Sequence, residues 1–153
     1  MRRLYFLYFV LKSGKSSLFL CFIKINYSMK KIISTPDAPA AIGPYSQAIE
    51  ANNMLFTSGQ LPINPASGKI EATDISGQTD QVLKNLSNIL KAAGYSLDNI
   101  VKNTVYLSDI TNFADMNEVY KQYFTGNYPA RSSFAVKDLP MGALVEIESI
   151  AVK

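Results

Sequence analysis

Apolar residues recur along this chain with two different periods, and the change from one to the other predicts its elements. Val82, Leu83, Leu86, Ile89, Leu90 and Ala93 repeat at three- and four-residue spacing, which gathers them on one face of a helix, and Gly94 can supply the left-handed residue that ends it. A second helix is expected from about Asn112 to Phe124, with Phe113, Met116, Val119, Tyr120 and Tyr123 on its apolar side. Between the helices, Ile100 to Leu107 is rich in β-branched and aromatic residues and reads as a strand. Earlier, the short runs Gln47 to Ala51 and Met54 to Thr57 flank Asn52-Asn53, a pair that tolerates the positive φ values of a tight hairpin. Pro62, Pro65 and Gly68 rule out a central strand over Leu61 to Gly68 and mark a loop. Phe134 and Val136 mark a short strand, and Leu144 to Val152 forms the last one after a turn at Pro140-Met141-Gly142.

Strands, helix, strand, helix, strands is the order of an α+β fold, a two-layer sandwich with both helices on one face of a mixed sheet. The helices leave the other sheet face uncovered. Leu144 to Val152 is too apolar to meet water on that side, so sheet-to-sheet association with further copies of the chain is expected to close it.

Residues 1–28 are of a different character from residues 29–153. Two apolar runs, Leu4 to Leu11 and Leu18 to Ile23, are split by a Lys-Ser-Gly stretch, and neither reaches the roughly 18 residues of a membrane span. No single apolar core or small-residue cleavage site marks a signal peptide. Met29-Lys30-Lys31 reads as an ordinary start, so 1–28 is expected to be an unstructured leader or the product of an upstream start codon, with organelle import as the second reading. The formal +3 of the whole chain divides accordingly: the leader holds five basic residues and no acid, while residues 29–153 hold ten basic against twelve acidic residues. A mildly acidic body is a poor match for a phosphate backbone, which argues against nucleic acid as a partner.

Cys21 is the single cysteine, so the body has neither a disulfide nor a thiol nucleophile, as fits a reducing, cytoplasmic setting. Histidine is absent, which removes the usual general base and the commonest zinc ligand. Chemistry here falls to carboxylates, hydroxyls, backbone groups, Lys or Arg.

Against nine lysines, residues 29–153 contain one arginine, Arg131, in Tyr128-Pro129-Ala130-Arg131-Ser132-Ser133. Pro129 stiffens the approach to a strand, and a guanidinium can grip a carboxylate through two parallel hydrogen bonds, as Lys cannot. From the residues alone, a solvated arginine that happens to be solitary accounts for the pattern equally well. Glu146 and Glu148 share a face of the last strand and could divide acid and base roles, although exposed strands often carry such pairs. Ser58, in Thr57-Ser58-Gly59-Gln60, offers a hydroxyl beside a glycine that allows close approach, or simply ends a strand. Tyr45 follows a Gly-Pro turn, where packing is the commoner role, and Asn117 breaks the apolar pattern of the second helix, where plain exposure is.

Taken together, Ala38 to Gln47 (APAAIGPYSQ), Thr57 to Ile63 (TSGQLPI), Asn85 to Gly94 with the strand after it, Tyr128 to Ser133 (YPARSS) and Leu139 to Ala151 (with VEIESIA) resemble the reactive intermediate deaminase, or YjgF, family. The resemblance spans Met29 to Lys153. It implies a chorismate-mutase-like fold, a homotrimer with sites between subunits, no metal or organic cofactor, and no membrane. The implied activity is hydrolysis of enamines and imines such as 2-aminoacrylate and 2-iminobutyrate to 2-keto acids and ammonia. Carried over by position, Arg131 would hold the substrate carboxylate and Glu146 would orient or activate water. Tyr45, Ser58 and Asn117 would line the cleft, and the Ser133 backbone would meet the imine nitrogen. Many relatives have cysteine where this chain has Ser133, and the Phe124 to Tyr128 loop is shorter than in some members. Two other readings stand beside this one: a 2-keto-acid-binding regulatory module without turnover, and a single-strand endoribonuclease or chaperone.

Overall fold

A computed structural model describes residues 30–124 and 126–153, together with the backbone of Tyr5–Tyr8 and Cys21–Lys24. The last two segments, β1 and β2, pair antiparallel as a separate two-stranded sheet. The rest of the expectation for residues 1–28 lies outside the described residues.

The main sheet has six strands: β3 (Lys31–Ile33), β4 (Ala48–Ala51), β5 (Met54–Thr57), β8 (Ile100–Leu107), β9 (Ala130–Ala135) and β10 (Val145–Val152), ordered β3-β4-β5-β10-β8-β9. All neighbours are antiparallel except β8 and β9, which run parallel. A parallel pair cannot be joined by a hairpin, and the chain between these two strands forms α2 (Phe113–Tyr123). The mixed sheet, and the expected two-layer α+β sandwich, follow from that connection.

The hairpin expected at Asn52-Asn53 forms as read: Asn52 has φ 51°, Asn53 has φ 60°, and Ala51 pairs with Met54. α1 (Ile75–Ala92) begins where the Asp74 carboxylate accepts from the Gly77 N–H at 2.9 Å. It ends at Gly94, φ 75°, with the Tyr95 N–H bonding the Leu90 carbonyl and the Gly94 N–H bonding that of Lys91. This is the Schellman arrangement that a left-handed glycine permits. Its inward face, Val82, Leu83, Leu86, Ile89 and Leu90, is sealed from solvent against Leu55, Val105, Leu107, Val145 and Ile147 of the sheet.

Three features differ from the sequence reading. β3 was not foreseen, because Lys31-Ile32-Ile33 is too short to show alternation. The Leu61 to Gly68 segment is no central strand, yet Ile63–Asn64 (β6) and Lys69–Ile70 (β7) pair as a small ribbon turned by Gly68. Buried Asn85 on α1 anchors that ribbon, donating from Nδ2 to the carbonyls of Leu61 at 3.0 Å and Ile63 at 2.9 Å. On α2, Met116 and Tyr120 are buried as expected, but Phe113 lies at the rim, 37% exposed.

The face away from the helices carries the row Ile32, Ile49, Phe56 and Ile150, four residues aligned across β3, β4, β5 and β10. Ile32 is 65% and Phe56 41% exposed. No helix of the described residues is long and apolar enough to cross a membrane.

Asn85→Leu keeps the branched shape of the side chain and strips two carbonyls of their donor. It is expected to lower the unfolding free energy in urea titrations by about 1–3 kcal/mol, since unmet polar groups cost more than the average bond contributes.

Candidate active site

Arg131 is the second residue of β9, an edge strand, and its side chain leaves on the helix-facing side. There α2 presents Phe113, Asn117 and Tyr120, positions i, i+4 and i+7 of one helical face. Nη2 of Arg131 donates to Asn117 Oδ1 at 2.8 Å. The guanidinium carbon sits 4.4 Å from the centre of the Tyr120 ring and 5.6 Å from that of Phe113. Such cation–π contacts contribute from about 0.5 kcal/mol at exposed sites to about 2 kcal/mol when desolvated.

Nη1 of the same guanidinium and Oγ of Ser133, two residues along the same strand face, are buried and have no hydrogen-bond partner among the described residues. Among the described residues no carboxylate lies within ion-pair distance of Arg131. A buried charge with an unused donor is costly, and an anion bearing two acceptor oxygens would relieve it. Arg131, Asn117 and Ser133 are therefore brought together as one half-site. Phe113 and Tyr120, read from the sequence only as core residues, belong to it too; their i, i+4, i+7 spacing with Asn117 was the available signal.

A second group forms on the other sheet face. Glu146 faces outward on β10, in a row with Tyr106 and Phe134. Its carboxylate lies against Gly59: a Cβ built there would stand 1.7 Å from Glu146 Oε1, so no other residue fits without moving the acid. Gly59 is held by the bridge between Gln60 and Ile147. The neighbouring Ser58 donates from Oγ to the Ser46 carbonyl at 2.6 Å, and Tyr45 precedes Ser46, half exposed at the end of its turn. Ser58 and Glu146 thus flank Gly59, with Glu146 on the opposite side of the sheet from Arg131, and Tyr45 is tied to them only along the chain through Ser46. Within one chain no hydrogen bond or ion pair joins the two groups among the described residues.

Burial pushes the Glu146 carboxyl above the usual carboxylate range, and the negative charge of Glu148 adds to the effect. Glu148 accepts from the Tyr106 hydroxyl at 3.0 Å, and burial together with that bond raises the phenol. Among the described residues no group of three or more His, Cys, Asp or Glu is placed to hold a metal ion.

Fold and site together define a class: a two-layer α+β protein with an anion-ready arginine at one sheet edge and a perturbed glutamate on the opposite face. Residues 35–153 match the family model described as endoribonuclease L-PSP. A RutC family protein of Pyrococcus horikoshii is 55% identical over 125 residues, 82% of this chain and 99% of that protein. The 2-iminobutanoate/2-iminopropanoate deaminase of Mus musculus is 49% identical over 125 residues, 82% of this chain and 93% of that protein. The crystal structure of E. coli TdcF with bound serine is 47% identical and superposes with a TM-score of 0.77, covering 80% of this chain and 98% of that one. The chain belongs to this family, the reactive intermediate deaminases related to YjgF, as its motifs led us to expect.

The Glu146 carboxyl is expected to titrate above an ordinary glutamate in carbon-13 NMR. Glu148→Gln should lower its midpoint but not return it to the ordinary value, since burial, the larger cause, remains. An unchanged midpoint would show that Glu148 does not act on it.

Proposed function

We propose that this chain hydrolyses 2-imino acids, formed from enamines of the 2-aminoacrylate and 2-iminobutyrate type, to 2-keto acids and ammonia. The observation that carries the reading is the buried, unpartnered Nη1 of Arg131 beside a hydrogen-bonded Nη2, a fork braced by α2 with one prong free for a carboxylate. Support also comes from a mouse relative named for this reaction and from a bacterial relative that holds serine, an amino acid with such a carboxylate.

In this reading Arg131 binds the substrate carboxylate, and Asn117, Tyr45 and Ser58 line the cleft. Ser133 meets the imine nitrogen through its backbone. Glu146 takes a proton from water as the oxygen adds to the C=N carbon, and that proton passes to the nitrogen, which gives the tetrahedral amino alcohol. In the collapse Glu146 takes the hydroxyl proton and returns it to the nitrogen, the C–N bond breaks as ammonia leaves, and the carbon becomes the keto carbon. A raised carboxyl pKa makes Glu146 a better base nearer neutrality. Such imines hydrolyse unaided in water, so orienting substrate and water is enough, and positioning alone can lower a barrier by about 7–11 kcal/mol in the best cases. No metal or organic cofactor enters this chemistry.

Arg131 and Glu146 occupy opposite sheet faces, so the cleft needs residues of more than one copy. We therefore place the site between subunits of a homotrimer, assembled through the face that carries Ile32, Phe56 and Phe134. We assign the activity to residues 29–153 and to the cytoplasm, with 1–28 as a leader outside the catalytic unit; import into an organelle is the second reading. Two alternatives keep the same fold. A regulatory module that only bound 2-keto acids would have no need of Glu146 set against Gly59. An endoribonuclease, the activity in the family model's description, would meet RNA with a body of net acidic charge and no histidine.

The test couples the purified protein to serine or threonine dehydratase and follows keto-acid release. Arg131→Ala is expected to lower the rate by at least about 30-fold, as loss of a buried charged partner costs about 2–5 kcal/mol, while light scattering still shows a trimer. Equal rates overturn the assignment. A chain starting at Met29 should match the full chain in rate.

A further inference from the structure

The contact that orients the proposed carboxylate clamp is itself held by a line of polar groups running through the core. The Tyr120 hydroxyl accepts from Asn103 Nδ2 at 2.6 Å. Asn103 is fully buried on β8, directly opposite Arg131 in the β8–β9 register. Its Oδ1 accepts from the Ser149 hydroxyl on β10. The Ser149 N–H in turn donates to Thr57 Oγ1 on β5 at 2.9 Å. Three neighbouring strands, β5, β10 and β8, are thus joined to α2 on the helix-facing side, and the line ends under the ring on which the guanidinium rests.

An apolar core needs none of these groups: Asn103, Ser149 and Thr57 each take a place that Val or Leu fills elsewhere in the sheet. Fully satisfied polar lines specify geometry more than they add stability. Here the geometry specified is the plane of the Tyr120 ring, which also stacks on Phe124 with centroids 4.5 Å apart. An arginine on an edge strand otherwise has about 2 kcal/mol of rotamer entropy to lose on binding.

We propose that Tyr120, fixed by Asn103 and Ser149, is a positioning residue that sets the orientation of Arg131 and hence the affinity for anionic substrates. The role rests on the deaminase reading for turnover, but its binding consequence does not. Tyr120→Phe keeps the ring and cuts the tether. Asn103→Thr cuts it from the other side and decides the matter if the first variant fails to fold.

The measurements are KM and kcat for the dehydratase-generated imine, calorimetric affinity for 2-oxobutanoate, and melting temperature. Expected is a rise of about three- to tenfold in both KM and Kd, the worth of one hydrogen bond, with kcat changed by less than about twofold. A lower melting temperature with unchanged KM and Kd overturns the proposal and leaves the line purely structural. If the unaltered protein binds 2-oxobutanoate but releases no keto acid, the deaminase reading fails, and the Kd comparison alone decides the positioning role. If it neither binds 2-oxobutanoate nor releases keto acid, both fall.

Discussion

The guanidinium of Arg131 is partly withdrawn from water with no acid beside it among the described residues, and its surroundings in the fold follow from that. Arg131 leaves an edge strand with one nitrogen bonded to Asn117, two aromatic rings near its charge and another nitrogen buried without a partner among the described residues. An acid in the same chain would quench it, and open solvent would make it indifferent to a ligand. The parallel β8–β9 pair solves the placement problem. Because the pair demands a crossover, α2 is delivered beside the strand that carries Arg131, and its inward face becomes the platform.

The opposite face of the sheet obeys a different constraint. Glu146 is raised by burial and by Glu148, and it gains its position from the missing side chain at Gly59. The bridge between Gln60 and Ile147 sets that approach, extending the edge of β5 past its last residue and along β10. Exposed Ile32, Phe56 and Phe134 lie on this side as well. An apolar face with a half-buried acid is unstable as a solvent boundary and reasonable as a boundary between copies. Association there would both cover the apolar row and give Glu146 a neighbour that its own chain withholds.

Much of this was legible in the chain, for reasons that differ by element. α1 and β8 announce themselves because eighteen and eight residues carry a full period, and the Asn52-Asn53 hairpin because its φ values admit few residue types. β3 and the β6–β7 ribbon were hidden by shortness, since three or two residues hold no period. Arg131 stood out as the lone arginine of its domain. Asn117 looked like an ordinary exposed helix position, since nothing local says that an arginine fourteen residues on will reach back to it. The Asn103–Ser149 line is less legible still: its partners are forty-six positions apart and meet only through strand register.

The two carboxylates on β10 illustrate how the same pattern supports unequal roles. Glu148 accepts from the Tyr106 phenol at 3.0 Å, whereas Glu146 accepts no hydrogen bond among the described residues, and its carboxyl is raised by burial and by the charge of Glu148. Raising a base's pKa helps catalysis only while the group stays ionised at working pH, so the useful range ends near neutrality. Burial and the charge of Glu148 both push the Glu146 carboxyl upward, the direction such a base needs. In the proposed reaction, the setting of Glu146 between Gly59 and Glu148 would give a protein without histidine a carboxylate base raised above the ordinary range.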